Sequence, residues 1–263
     1  MCSGYYLEKA EWMHRIAGAA RRHSLMRRIS STIAKPVTTC GDVHLSDIAP
    51  VIAPDGKGGG RVFPMMWGFS TKLDGFIPSV DIDILEDTRD PVLLDAWARH
   101  RCLIPASWYF EWERVHPVIS YDTFGDQTPE SERRSRRQYR KMTLSDSELS
   151  DSIGDRYMLQ TRGSSITLLG GIYQIEDHGG VKFPHFMILM HYAAPNIMFI
   201  HNKMPVIFNS SDKELLNDWL NTGAMPPWTT ERIFDCAVTD VVYEKCPVPL
   251  RRERRPFYAG HKP

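Results

Sequence analysis

The chain has 263 residues, 42% of them hydrophobic, with 32 Lys+Arg balanced by 32 Asp+Glu. That size and apolar content suit one domain with a sizeable core, and the zero net charge excludes a broad, nonspecific polyanion binder, so any nucleic-acid surface must come from local segregation of charge. Five cysteines, at 2, 40, 102, 236 and 246, form no C-x-x-C pair, which argues against a disulfide framework or a zinc finger and for a reducing compartment. No apolar run approaches the ~18 residues of a membrane span and no apolar leader follows the start. The expectation is a soluble, cytoplasmic protein.

In chain order, a short strand is predicted at Tyr5 to Leu7, then an amphipathic helix with a basic face from Lys9 to Ile29, where Trp12, Ile16, Ala19 and Ala20 recur at helical spacing. "LSDIAPVIAPDGKGGGRVFPMMWGF" reads as β-rich, with Pro50 and Pro54 at edges or turns and Gly58 to Gly60 as a hairpin tip. That tip lacks the Gly-Lys-Ser/Thr ending and a following helix, so it is not a phosphate loop. A short helix is predicted at Pro91 to Arg101 and a strongly apolar strand at "RCLIPASWYFEWE". From Val115 to about Asp155 the composition turns polar and includes "ERRSRRQYRK"; this reads as an inserted, solvated loop. Strands resume with "YMLQTR", "ITLLGGIYQIE" and "FPHFMILMHYA", followed by "HNKMPVIF", a helix from Asp212 to Leu220, an alternating strand in "DCAVTDVVYEKCPVP", and a basic tail. Many short strands, few helices and no βαβ alternation predict an α+β fold on an antiparallel, barrel-like sheet. One domain spans 1–250, interrupted at about 115–155 and followed by the tail 251–263.

Three polar residues occupy positions where chemistry needs them. Cys2, once Met1 is removed, becomes a 1,2-aminothiol, a specific reagent for aldehydes. Glu111 sits among aromatic residues in "WYFEWE", where desolvation raises a carboxyl pKa. His201 lies between "NIMFI" and "MPVIF" and is a natural proton carrier. The pattern alone leaves Cys2 open as an ordinary strand residue, Glu111 as a glutamate facing water beside Glu113, and His201 as a core histidine. Asp81 and Asp83, with Glu86 and Asp87, admit either a divalent-metal site for nuclease chemistry, with two carboxylates on one strand face, or a solvated acidic loop.

Taken together, "MC", "MMWGF", "RCLIPASWYFEWE", "LLGGIYQIE", "FMILMHYAAPNIMFIHNKMPVIF" and "DWL" resemble, in order and approximate spacing, the SRAP family, the SOS-response-associated peptidase-like proteins that crosslink to abasic sites in DNA. The resemblance covers nearly the whole chain except the insertion and the tail. It implies a covalent adduct: the α-amine of Cys2 condenses with the ring-opened aldehyde of an abasic site in single-stranded DNA, and the thiol closes a thiazolidine. It assigns Glu111 and His201 to proton transfer on the sugar oxygens, and Trp67 and Trp112 to stacking on splayed bases. It implies no metal and no cofactor, a monomer, and single-stranded DNA with abasic sites as the partner, with the protein on the nucleoid when bound. A cysteine-dependent, self-processing peptidase and a catalytically silent DNA-binding relative are the competing readings.

The chain departs from the family pattern at three places. Family members read M-C-G-R, whereas this chain reads Met1-Cys2-Ser3-Gly4 and loses an arginine beside the nucleophile. Where the family carries N-A-R-x-E, this chain has "DIDIL", with Asp81 in place of a sugar-contacting Asn and Asp83 in place of a phosphate-binding Arg. Lys203 replaces the usual Arg of the histidine block, keeping charge but losing the bidentate fork. The expected consequence is weaker, less salt-dependent DNA binding.

Overall fold

A computed structural model describes residues 4–26, 35–56, 59–72, 75–114, 153–221 and 228–246. Cys2, nearly all of the insertion with its basic run, and the tail lie outside them.

Five strands close into a barrel. β3 (Ile48–Pro54) and β4 (Gly60–Trp67) form the hairpin around the glycine-rich tip, with Ile52 opposite Val62. β8 (Arg101–Ala106) joins β3 to β11 (Thr167–His178), β11 pairs with β12 (Val181–Tyr192), and β12 returns to β4. β7 (Ser79–Asp81) and β13 (Lys203–Pro205) extend β12, and β14 (Ile207–Phe208) extends β11. The antiparallel expectation holds except at β12, which runs parallel to both β4 and β7.

Strand periodicity explains why β8 and β12 are apolar throughout. Cys102, Ile104 and Ala106 point into one core with Phe186, Ile188 and Met190, while Leu103, Met187 and Leu189 point into a second core under the helices. Burying each large side chain contributes about 1.5–3 kcal/mol. The first core is so tight that a Cβ on Gly171 would lie 2.4 Å from Ile104 Cδ1 and 2.7 Å from the Met187 carbonyl oxygen. The second glycine of "LLGG" in β11 is therefore what lets the barrel close.

The helices over the second core are α2 (Ile82–Asp87), α3 (Pro91–Arg99), α4 (Lys213–Leu220) and α5 (Thr230–Cys236). Pro91 occupies the first turn of α3, where its missing N–H costs nothing, and the Asp90 carboxylate accepts from the Val92 and Leu93 N–H groups. Buried Arg101 finishes two helices at once: Nε donates to the Trp219 carbonyl (2.9 Å), Nη1 to Trp97 and Ala98, and Nη2 to Asn221 (3.0 Å). These are carbonyls at C-terminal ends, where a cation is favoured.

A second sheet, in the order β15-β10-β9-β1-β2, lies beside the barrel. It contains β1 (Gly4–Leu7), β2 (Gly41–Val43), β9 (Trp108–Arg114), β10 (Ile153–Thr161) and β15 (Val241–Lys245). A hairpin of β5 (Phe69–Thr71) and β6 (Gly75–Ile77) completes the strands.

Several predicted elements are corrected. "RCLIPASWYFEWE" is two strands in two sheets, broken at Ser107, whose N–H bonds the Tyr6 carbonyl and whose hydroxyl accepts from the Glu8 N–H. Helix α1 (Glu11–Arg22) is interrupted at extended His23; residues 24–26 are helical again, and the rest of the predicted helix, 27–29, lies outside the described residues. Asp235 and Cys236 end a helix rather than begin a strand. The "DIDIL" segment turns from β7 into α2 at Asp81, so Asp81 and Asp83 do not share a strand face. Pro50 lies within β3, opposite Pro64. Among the described residues, no helix is long and apolar enough to cross a membrane.

Candidate active site at the end of β9

β9 carries Glu111 through the junction between the two sheets. Its neighbours are β1, with Gly4 opposite Phe110, and β10, with Tyr157 opposite Glu111. Glu111 is only 3% exposed, and its Oε1 finds no hydrogen-bond partner among the described residues. Burial therefore raises its pKa from 4.5 to about 7, against the opposing charges of the chain's amino terminus and Arg114. A carboxyl held there is half protonated near neutrality, so it can give or take a proton.

The His201 segment is tied to the same place, because the Arg114 N–H at the end of β9 donates to the Ile200 carbonyl (3.0 Å). His201 is buried. Its Nδ1 lies 3.0 Å from the Lys203 amide nitrogen. The same Nδ1 also lies 3.1 Å from the Lys203 carbonyl oxygen, so Lys203 offers this nitrogen both a donor and an acceptor and holds the ring in place in either tautomer. Burial drives the His201 pKa down to about 2, helped by the amino terminus and Arg114. Glu111 and His201 thus feel the same two charges, the mark of one shared neighbourhood. His201 is therefore a neutral imidazole at working pH, with one ring nitrogen to donate and one to accept.

Around this pair, the other sequence candidates divide. Trp67 is 1% exposed, stacks toward Phe186, packs on Tyr5 and donates its Nε1–H to the Pro78 carbonyl (2.9 Å). Its role is to fill the core beneath β1, not to stack on a base. Trp112, half-buried on β9, sits opposite Arg156. Asp81, Asp83 and Lys203 come together: Lys203 Nζ lies 3.3 Å from Asp81 Oδ2, 3.5 Å from Asp83 Oδ2 and 3.8 Å above the Tyr192 ring. The two acidic replacements and the lysine compensate one another, so the carboxylates form an ion-paired cluster rather than a carboxylate cage for a metal.

An aromatic surface escapes any reading of the sequence. Tyr157, opposite Glu111, makes edge contacts with Phe199 (5.7 Å) and Tyr243 (5.9 Å), and the latter two rings are 5.2 Å apart. Phe199 and Tyr243 are 43% and 45% exposed. The three rings come from β10, the His201 segment and β15, which no linear spacing connects.

A family model for "SOS response associated peptidase (SRAP)" matches residues 14–242. The chain belongs to the SRAP family. Three solved structures share the SRAP fold of this chain. One, from Bacteroides thetaiotaomicron, has a TM-score of 0.58 at 14% identity and covers 93% of this chain and 92% of its own. A phage-related protein from Bordetella bronchiseptica scores 0.57 at 13%, covering 93% and 94%. Another protein of the same organism scores 0.56 at 12%, covering 94% and 100%. No curated protein matches the sequence. SRAP membership associates the chain with the response to DNA damage in general terms; identities this low carry the fold alone.

Proposed function

We propose that this SRAP protein captures abasic sites in single-stranded DNA through Cys2. The observation that supports it best is the convergence at the end of β9: buried Glu111, neutral His201 and the start of β1, with Gly4 paired beside Glu111. After removal of Met1, the Cys2 amine adds to the C1 aldehyde of the opened sugar. Glu111, as the acid, protonates the departing hydroxyl, so water leaves and an imine forms. The thiol then adds across the imine carbon, its proton passes to the nitrogen, and a thiazolidine closes with one water lost and no change of oxidation state. The neutral His201 ring hydrogen-bonds a sugar oxygen or its hydroxyl through Nε2 while this happens. A splayed strand has the Tyr157, Phe199 and Tyr243 rings to stack on.

The test is a denaturing gel of purified protein, with Met1 loss confirmed by intact mass, mixed with labelled single-stranded DNA bearing one abasic site. An SDS-resistant band is expected that disappears with Cys2→Ala and with undamaged DNA. No band at low salt, where phosphate contacts are strongest, overturns the proposal.

The acidic cluster gives a second expectation. Asp83→Arg removes one of the carboxylates that neutralise Lys203 and adds a cation beside it. Binding to undamaged single strands should tighten, and the slope of log K against log salt should steepen by about 0.7 for each further phosphate that the protein neutralises. A titration series over salt, read by fluorescence anisotropy, measures both. An unchanged slope would mean that the cluster lies away from the backbone path.

A further inference from the structure

The far end of the β11–β12 hairpin gathers two imidazoles and a carboxylate that the proposed chemistry does not use. Glu176 and His178 alternate on one face of β11, and the cross-strand register places His185 of β12 on that face, opposite Gln174. One potential ligand atom from each of Glu176, His178 and His185 lies within 4.8 Å of the other two.

Each of two members is already oriented by a second group. His185, 1% exposed, has its Nδ1 2.8 Å from the Gly68 carbonyl oxygen, so Nδ1–H donates there and Nε2 presents its lone pair to the cluster. Gly68 is fixed for this purpose by its left-handed backbone (φ 88°), and a Cβ there would come 2.7 Å from Leu45 and Phe76 side-chain atoms. The Glu176 carboxylate is held through Oε1 by the Ser70 N–H (2.8 Å) and Gln174 Nε2 (2.7 Å), while Oε2 lies 3.9 Å from His185 Nδ1, beside the buried ring but beyond hydrogen-bond distance. Backbone and side-chain groups that lock a histidine tautomer and a carboxylate are the supports found behind metal ligands.

We propose that Glu176, His178 and His185 bind one divalent ion of the zinc class, the two histidines through Nε2. Imidazole donors select against magnesium and calcium, which take oxygen ligands, and two imidazoles with one carboxylate leave a fourth position for water. The two Nε2 atoms now lie 2.7 Å apart, the separation of a shared proton. Metal bonds of about 2.0–2.1 Å in tetrahedral geometry need roughly 3.3 Å between them. Half-buried His178, close to the hairpin turn at Gly180, has to yield that half ångström while His185 stays fixed. The ion then replaces the shared proton and clips the hairpin to the Gly68–Ser70 corner that follows Trp67.

Full-length protein stripped with a chelator and titrated with zinc against a chromophoric indicator should take up one ion per chain, with a higher thermal midpoint. Cobalt(II) should show the intense visible absorption of a tetrahedral site. His178→Ala and Glu176→Gln should each weaken zinc uptake at least about 10-fold, since even the loss of a supporting group costs about 10- to 100-fold. Both positions are half-buried, and the glutamine keeps an oxygen for the Ser70 N–H, so circular dichroism should show both variants folded. Absence of uptake by the wild type, or uptake by both folded variants with unchanged affinity, overturns the proposal.

Discussion

Glu111→Gln should stabilise the protein at pH 8 while slowing adduct formation by about 10²–10⁴-fold, the range that a positioned acid or base contributes. The stability arm follows from proton linkage. The folded carboxyl ionises at about 7 and the unfolded one at 4.5. Between those values the folded state holds a proton that the unfolded state has released, so stability falls as pH rises through this window and is lowest above pH 7. At ~1.4 kcal/mol for each pH unit, the wild type gives up about 3 kcal/mol by pH 8. Glutamine has the shape of the protonated acid and cannot ionise, so the variant should match the wild type near pH 5 and exceed it at pH 8. Urea denaturation at the two pH values measures the difference. A gap that is the same at both would mean that Glu111 is not held protonated by the fold.

The histidines push the other way. His201 titrates at about 2 and His191 at about 4 when folded, both lowered first by burial, whereas unfolded histidine takes up a proton near 6.5. Their stabilising contribution is full above pH 6.5 and is lost as pH falls below it. These two rings, joined by His23, His100 and His185, which burial also lowers, contribute acid sensitivity, and Glu111 contributes an alkaline penalty.

Trp219→Ala is the substitution expected to cost most in stability, about 3–5 kcal/mol. The ring is fully buried, within 4.9 Å of Phe208, 5.0 Å of Trp228 and 6.1 Å of Trp97 by centroid. Its Nε1–H donates to the Cys102 carbonyl (2.9 Å), and the Arg101 guanidinium lies 5.5 Å from its centre. Truncation leaves a cavity, removes that hydrogen bond and loosens the cation under two helix ends. Differential scanning calorimetry should show the midpoint fall by on the order of 10 °C for a chain of this size. Trp219→Phe, which keeps most of the volume and loses the N–H, should cost clearly less; equal losses would place the energy in the hydrogen bond.

Legibility in the sequence followed the range of the interactions. The hairpin of β3 and β4, the helix start at Asp212 and the long strands β11 and β12 were readable because alternation and capping are local. The break at Ser107 was not, since the residues on both sides are apolar and only the partners, β11 on one side and β1 on the other, differ. Glu111 was legible as an anomaly among aromatic residues, but its burial depended on β10 and β1 covering it. Trp67 misled for the opposite reason: an indole in a family block signals a site equally well when it fills a core. The neutralising contact of Lys203 with Asp81 and Asp83 spans about 120 residues of chain, beyond any spacing rule.

The Ser107 break also has a mechanical side. The strand that bears Glu111 continues, after a single residue, into β8 in the middle of the closed barrel. A tug applied at Glu111 along that strand would therefore run through covalent backbone into a ring of five paired strands, which must shear together before β8 can yield. The reactive end of the molecule is anchored like a rod set in its most heavily paired part.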